Sequence, residues 1–218
     1  GYVSTWYDQS GNANDATQAT TTSQPKIVDA GALVTGGLDF DGVDDKLSLS
    51  GTGLDIFKNV GYGQLFSVVT PDETTTGSNR YFEAVSGTDT GARLLLGDSQ
   101  DYASSSRIGG RRLDSDGFQD VESPTSHGNN ETLLTGFLNW ADAEAYLYQN
   151  GTEVSKSSSF ITAGNTSNTS STSIAIGGVQ TAFGQFKMKE LIVYNSDQSD
   201  NRRAIESDIA SHYGISVP

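Results

Sequence analysis

Short stretches in which apolar and polar residues alternate recur along the whole chain. Alternation with a period of two is typical of strands with one buried and one solvated face. We predict strands over residues 2–7, 46–49, 64–70, 81–85, 93–96, 131–140, 144–149, 152–156, 173–176 and 185–194. Turn-forming residues separate them, including Asn150-Gly151, a pair typical of a type I′ hairpin. The pattern predicts an all-β protein in which two antiparallel sheets pack face to face as a jelly-roll sandwich.

The C-terminal segment has a different period. Ile205, Ile209 and Tyr213 recur at every fourth residue, which places them on one stripe of a helix. A serine and an aspartate at 199–200 are suitable helix caps, and Gly214 suits the left-handed position after the last turn. We therefore predict one C-terminal α-helix that docks on the edge of the sandwich.

The last predicted strand places a glutamate among apolar residues. Counting by two from Glu190 puts Phe186, Met188, Ile192 and Tyr194 on its face. A carboxylate on an apolar face must be paired or protonated, so Glu190 is either a structural glutamate or a tuned catalytic acid. The apolar side chains that we expect in the core include Phe40, Val68, Leu147, Ile192 and Ile209.

Composition narrows the possible partners. The 218 residues carry a formal net charge of −14 and the pI is about 4.3. So acidic a chain repels nucleic-acid phosphates, and no apolar run is long enough to insert into a membrane. The absence of cysteine excludes disulfides and thiol chemistry. The length suits one undivided β-sandwich domain over residues 1–218.

One acidic turn stands out between two predicted strands. Residues 38–49 read Leu-Asp-Phe-Asp-Gly-Val-Asp-Asp-Lys-Leu-Ser-Leu, in which Asp41-Gly42 is a strong turn pair. This stretch resembles the laminin-G-like, concanavalin A-like lectin and glucanase superfamily. Residues 6–18 are similar to the start of the catalytic domain of alpha-L-arabinofuranosidase B. Residues 189–215 are similar to the last strand and closing helix of many bacterial and phage jelly-roll modules. The resemblance implies a concanavalin A-like sandwich, a fold that hosts enzymes, lectins and structural modules alike.

Two acidic segments are candidates for calcium binding. The candidate ligands are Asp41, Asp44 and Asp45 in the acidic turn, followed by Asp8, Ser10 and Asn12 in the first loop. Carboxylate and amide oxygens suit a hard cation, and a chain without cysteine and with two histidines favours Ca²⁺ over zinc or copper. The alternative for both segments is that these side chains cap the backbone amides of turns.

Aromatic and arginine side chains supply candidates for glycan binding. Aromatic faces stack on the C–H faces of sugars, and arginine forks bind carboxylates or sulfates. The candidates are Tyr102, Arg107, Arg111, Arg112, Trp140, Tyr146 and Tyr148. The alternatives are core packing for the aromatic residues and ion pairs with nearby aspartates for the arginines.

These observations favour a non-catalytic carbohydrate-binding or adhesion module within a larger extracellular, cell-surface or virion protein. Its partners would be a polysaccharide or cell-surface glycan and the other domains of that protein. No catalytic residue is matched, because the Glu-x-Asp-x-x-Glu motif of concanavalin A-like glucanases is absent and two histidines offer little basis for a Ser-His-Asp site. Two alternatives stay open, a glycoside hydrolase or polysaccharide lyase and a purely structural phage module.

Overall fold

The structure is a computed structural model, and it describes residues 1–72, 79–86, 92–98, 105–179 and 182–218. Within these ranges the strands are β1 (Thr5–Trp6), β2 (Ala16–Thr17), β3 (Val28–Asp29), β4 (Ala32–Leu33), β5 (Leu38–Asp41), β6 (Leu47–Ser48), β7 (Tyr62–Pro71), β8 (Arg80–Val85), β9 (Ala92–Asp98), β10 (Ser106–Gly110), β11 (Gln119–Glu122), β12 (Thr132–Asn139), β13 (Glu144–Gln149), β14 (Thr152–Ser157), β15 (Ser173–Ile176), β16 (Gly178–Val179), β17 (Ala182–Phe183) and β18 (Gln185–Tyr194). Two 3₁₀ turns occupy Thr21–Ser23 and Gly51–Asp55, and helix α1 spans Arg202–Tyr213.

Two antiparallel sheets pack against each other. In the described part of the chain, one sheet has eight strands in the order β1-β2-β6-β15-β8-β9-β10-β11, and the other has six in the order β14-β13-β12-β7-β18-β5. Strand β7 shows how alternation produces this arrangement. Leu65 and Val69 belong to the core between the sheets, whereas Phe66 and Val68 belong to a second apolar cluster on the outer face. The structure therefore confirms the predicted sandwich with one C-terminal helix.

Helix α1 covers the outer face of the six-stranded sheet. Its predicted stripe of Ile205, Ile209 and Tyr213 packs against the outward apolar side chains of β7 and β12. Gly214 ends the helix with a φ of 72°. The prediction that the helix docks on the sandwich edge is wrong, because the outward apolar residues of β7 need a cover and the helix supplies it. Among the described residues, no helix is long and apolar enough to span a bilayer.

A β-bulge at Lys189 changes which side chains of β18 face the core. The register between β18 and β7 shifts between Met188 and Glu190. Phe186 and Met188 consequently lie in the core between the sheets, whereas Ile192 packs with the helix. The common face predicted for these residues is therefore wrong, because one inserted residue reverses the alternation that follows it.

Other local predictions have mixed outcomes. Four of the five predicted core residues are buried, and Ile192 is only half-buried at the flank of the helix. Segment 2–7 forms a strand only at Thr5–Trp6. Alternation misses β10 and β11, because β10 buries an arginine and two glycines. Asn150 and Gly151 have φ angles of 47° and 76°, as the predicted type I′ turn requires.

Candidate functional site

Strand β18 has an open edge in its second half. Strand β5 pairs with β18 only from Gln185 to Met188. Gly36 and Gly37, which come directly before β5, each have a φ of 102° and turn the chain away from β18. A Cβ atom on Gly37 would collide with the Met188 carbonyl oxygen, so this close approach requires glycine. As a result, no described strand pairs with the outer edge of β18 over residues 190–194.

A groove of about 1370 Å³ lies beside this edge. The first loop, the turn at Gly51–Asp55, strand β18 and helix α1 contribute its walls. Apolar side chains from both sheets also line it, namely Phe82, Ile176, Leu191 and Val193. Of these four, Leu191 and Val193 beside the open edge are half-buried, whereas Phe82 and Ile176 are buried.

Accessible aromatic side chains line the groove. They are Trp6 and Tyr7 at the end of β1, Tyr194 at the end of β18 and Tyr213 at the end of α1. Tyr7 is 66% exposed, and the other three are half-buried. Side-chain amides of Gln9, Asn12, Asn14 and Asn195 also line the groove. Aromatic faces and amide groups together match the C–H faces and hydroxyl groups of a sugar.

The groove is acidic. Four carboxylates and one ammonium group line it, those of Asp8, Asp55, Glu190, Asp208 and Lys189. The Lys189 Nζ lies 2.5 Å from a Glu131 carboxylate oxygen and 5.3 Å from the centroid of the Tyr213 ring. Lys189, the one lysine or arginine among the described residues that line the groove, is therefore already paired.

Glu190 is also paired. The Tyr213 hydroxyl donates a hydrogen bond to the Glu190 carboxylate, and burial followed by this bond raises the pKa of Tyr213 to about 12. The Glu190 carbonyl oxygen accepts a hydrogen bond from the Ser67 hydroxyl at 3.0 Å. This geometry favours the structural glutamate over the tuned catalytic acid, because the carboxylate ties the end of α1 to β18.

Asp8 organises the first loop through hydrogen bonds to its own turn. Its carboxylate accepts the Ser10 amide at 2.8 Å, the Ser10 hydroxyl at 2.9 Å and the Asn14 amide at 3.0 Å. The bond from the Asn14 amide is the largest cause that lowers the pKa of Asp8. The Asn12 side-chain amide donates to the Ser10 hydroxyl oxygen at 2.9 Å. These contacts are those of the turn-capping alternative, and calcium binding by Asp8, Ser10 and Asn12 stays a prediction.

The acidic turn brings its three predicted ligands together. Carboxylate oxygens of Asp41, Asp44 and Asp45 lie within 4.8 Å of one another. Asp45 is 6% exposed, and its carboxylate accepts the Asp41 amide at 3.1 Å. Burial, reinforced by the neighbouring carboxylates, raises the pKa of Asp45 to about 6. Asp44 accepts a hydrogen bond from the Ser23 hydroxyl at 2.7 Å. This turn lies outside the groove.

The three aromatic residues predicted as a glycan platform do not form one. Trp140 is fully buried in the core. Tyr146 stacks on Phe137 with ring centroids 6.0 Å apart, and the Arg202 guanidinium lies 3.9 Å above the Tyr148 ring. Burial removes Trp140 from the predicted platform, whereas Tyr146 and Tyr148 are half-buried and glycan binding by these two residues stays a prediction.

Two of the three arginine candidates for glycan binding, Arg107 and Arg111, are buried, and Arg112 is half-buried. Arg107 lies 3.2 Å from the Asp120 carboxylate, and Arg111 is 1% exposed and donates to backbone carbonyl oxygens. Arg112 is 3.8 Å from the Asp116 carboxylate. The contacts of Arg107 and Arg112 are those of the aspartate-pairing alternative, whereas Arg111 joins the loop at Asp114 to the end of β8 at Ser86.

The sequence analysis did not identify the aromatic residues that line the groove as a binding site, although Asp8, Ser10, Asn12 and Glu190, which it named for other roles, also line it. The adjacent pair Trp6 and Tyr7, followed by an amide-rich loop, was an available signal. Tyr194 and Tyr213 carried none, because only the fold brings a strand end and a helix end to that loop. Tyr102, the remaining glycan candidate, lies outside the described residues.

Comparisons with known proteins identify similar folds only. No protein-family model and no curated protein matches the chain. A Trypanosoma rangeli sialidase in complex with sialic acid is 16% identical with a TM-score of 0.60, covering 95% of this chain and 32% of that chain. A Ruminococcus gnavus IT-sialidase CBM40 bound to alpha2,3 sialyllactose is 16% identical with a TM-score of 0.56, covering 75% of this chain and 90% of that one. The chain thus spans about a third of that sialidase, and the shared feature is a β-sandwich fold.

Proposed function

We propose that this chain is a non-catalytic carbohydrate-binding module and that the groove beside β18 is its binding site. The observation that carries the proposal is the set of accessible aromatic side chains beside amide and carboxylate groups in one concave surface. Sugar rings stack on aromatic faces. The hydroxyl groups of a sugar donate hydrogen bonds to carboxylates, and they both donate to and accept from side-chain amides.

The similar folds support the proposal. The CBM40 structure holds alpha2,3 sialyllactose, so a sandwich of this kind is compatible with a glycan site. Membership of the laminin-G-like, concanavalin A-like superfamily is part of the proposal and is supported by the sequence resemblance at residues 38–49. We place the module in a larger extracellular, cell-surface or virion protein that uses it for adhesion.

A glycan array with two variants tests the proposal. Tyr7→Ala removes the most exposed aromatic ring of the groove, and we expect binding to weaken at least about tenfold, the loss that corresponds to one stacking contact. Tyr2→Ala is the matched control, because Tyr2 is 60% exposed and lies outside the groove. Equal losses in both variants, or none in either, would contradict the assignment of the groove.

Catalysis is the competing outcome. An oligosaccharide that binds the groove should be recovered intact after prolonged incubation with the protein. If new reducing ends or unsaturated products appear, and Glu190→Gln stops their formation, the chain is a hydrolase or lyase instead of a binding module.

Calcium binding is a separate part of the proposal. The three carboxylates of the acidic turn offer oxygen ligands of the kind that Ca²⁺ prefers. One divalent ion would relieve the repulsion among Asp41, Asp44 and Asp45 that contributes to the raised pKa of Asp45.

A further inference from the structure

We infer that the groove accepts uncharged glycans and rejects glycans that carry carboxylate or sulfate groups. This inference rests on the proposed function, because it concerns the ligand class of the same groove. It departs from the neighbouring structures, which hold sialic acid or alpha2,3 sialyllactose, both carboxylated sugars.

The charges of the described residues that face the groove are mostly negative, four carboxylates against the ammonium group of Lys189. Asp208 is exposed on α1, Asp55 is exposed in the 3₁₀ turn, and Asp8 and Glu190 add two more carboxylates. Lys58 lies 3.7 Å from Asp55, but this pair is partly exposed and therefore weak. The groove consequently presents a negative potential to any ligand that enters it.

The groove offers no cationic fork to an anionic sugar. Among the described residues that line it, Lys189 is the only lysine or arginine, and its ammonium group is paired with Glu131. Recognition of a carboxylate or sulfate relies on charge-assisted hydrogen bonds from such side chains. An anionic sugar would lose its hydration, gain no such bond and approach several carboxylates.

Uncharged sugars meet no such opposition. Their hydroxyl groups donate to carboxylates, and their C–H faces stack on Trp6 and Tyr7. Such binding depends little on ionic strength, since no net charge is brought into the groove. Salt dependence therefore separates the two ligand classes independently of which sugar is preferred.

Tryptophan fluorescence reports directly on the groove. The chain has two tryptophans, of which Trp6 lines the groove and Trp140 is fully buried. In Trp140→Phe the remaining emission comes from Trp6. This single-tryptophan protein is the background for the measurements that follow, after its melting curve and circular dichroism are shown to match the parent protein.

The first experiment compares matched oligosaccharides. The uncharged members of the panel are gluco-, galacto-, xylo-, manno- and arabino-oligosaccharides. The charged members are α2,3-sialyllactose, oligogalacturonate and a sulfated galactan fragment. We expect an uncharged member to change the Trp6 emission, with an affinity that varies less than about twofold between low and high salt. We expect charged members to bind at least about tenfold more weakly than the best uncharged one.

The second experiment measures the charge of the groove without a glycan. Caesium and iodide ions quench accessible tryptophan, and N-acetyltryptophanamide gives the reference ratio for a neutral environment. We expect caesium to be favoured at Trp6 relative to this reference. The double variant Asp55→Asn with Asp208→Asn should reduce the preference for caesium. The control is the double variant Asp29→Asn with Glu153→Gln, which removes the same charge outside the groove and should reduce the preference less.

The outcomes distinguish this inference from the proposed function. α2,3-Sialyllactose or oligogalacturonate could bind more tightly than every uncharged member. If Tyr7→Ala also weakens that binding, the proposed carbohydrate-binding function stands and the inference of a preference for uncharged glycans is overturned. If no member binds, the proposed function fails and the inference fails with it. If iodide is favoured at Trp6, the electrostatic basis of the inference is wrong.

Discussion

At the scale of single residues, Asp45 has the most unusual environment in the acidic turn. Its carboxyl group is buried, and its pKa is raised to about 6 from the ordinary 3.8. Between these two values the folded protein holds a proton that the unfolded chain has released. The contribution of Asp45 to stability is therefore complete below about pH 4 and is lost as the pH rises through 6.

The first prediction follows from this sign. In the presence of chelator, replacing Asp45 with Asn removes the ionisation, so the variant should gain about 2–3 kcal/mol relative to wild type between about pH 4 and pH 7. Urea unfolding across this range measures the difference, and Asp29→Asn, an exposed aspartate, is the control. A wild-type minus variant difference that stays constant with pH would show that Asp45 does not titrate in this window.

The second prediction concerns calcium. At neutral pH, millimolar Ca²⁺ should raise the melting temperature, because a ligand that binds only the folded state stabilises it. The shift should shrink below about pH 6, where a proton competes for Asp45. Asp44→Asn with Asp45→Asn should abolish it, whereas Asp29→Asn with Asp200→Asn should preserve it. Identical melting curves in chelator and in Ca²⁺ would leave the three aspartates as turn formers.

At the scale of elements, the helix is joined to the sheet by both apolar and polar contacts. Ile209 packs against the outer face of β7, and Glu206 pairs with Arg202, whose guanidinium covers Tyr148. The third prediction is that Ile209→Asp lowers the free energy of unfolding by about 3 kcal/mol, since it buries an unpaired carboxylate.

Denaturant unfolding measures this loss. Ala204→Asp is the control, because it adds the same charge at an exposed position in the first helical turn. An unchanged midpoint for Ile209→Asp would mean that the helix does not dock as described. A similar loss for Ala204→Asp would point to net charge as the cause.

The sequence predicts a strand correctly where apolar and polar residues alternate without interruption along the whole strand. It predicts β7 and the hairpin at Asn150-Gly151, where period and turn chemistry agree. It predicts the bounds of β18 but not which of its side chains share a face, because a bulge at Lys189 leaves no mark in a period-two pattern. It misses β10, because a buried Arg107 looks like a surface residue. The groove was beyond its reach for a different reason. Its walls come from segments far apart in the chain, and the turn at Gly36-Gly37 leaves the edge of β18 open only once β5 and β18 are paired.

At the scale of the whole molecule, the net charge of −14 is the dominant electrostatic feature. Like charges on a compact fold repel one another, and this repulsion is relieved when the chain unfolds or when salt screens it. The fourth prediction is that the melting temperature, measured in chelator, rises with NaCl concentration. KCl should act equally, because screening does not depend on the identity of the ion. A melting temperature that is independent of salt would show that the charges are already balanced locally.

The open edge of β18 has a consequence for how copies of this molecule behave together. An unpaired strand edge is a template on which the strand of a second copy can add, which is how many fibrils begin. Here the bulge at Lys189 interrupts the row of backbone groups, and the carboxylates of the groove keep approaching copies apart. Near pH 4.3 the net charge disappears. We therefore expect the strand edge that the departure of β5 leaves open to favour association of copies most strongly near that pH.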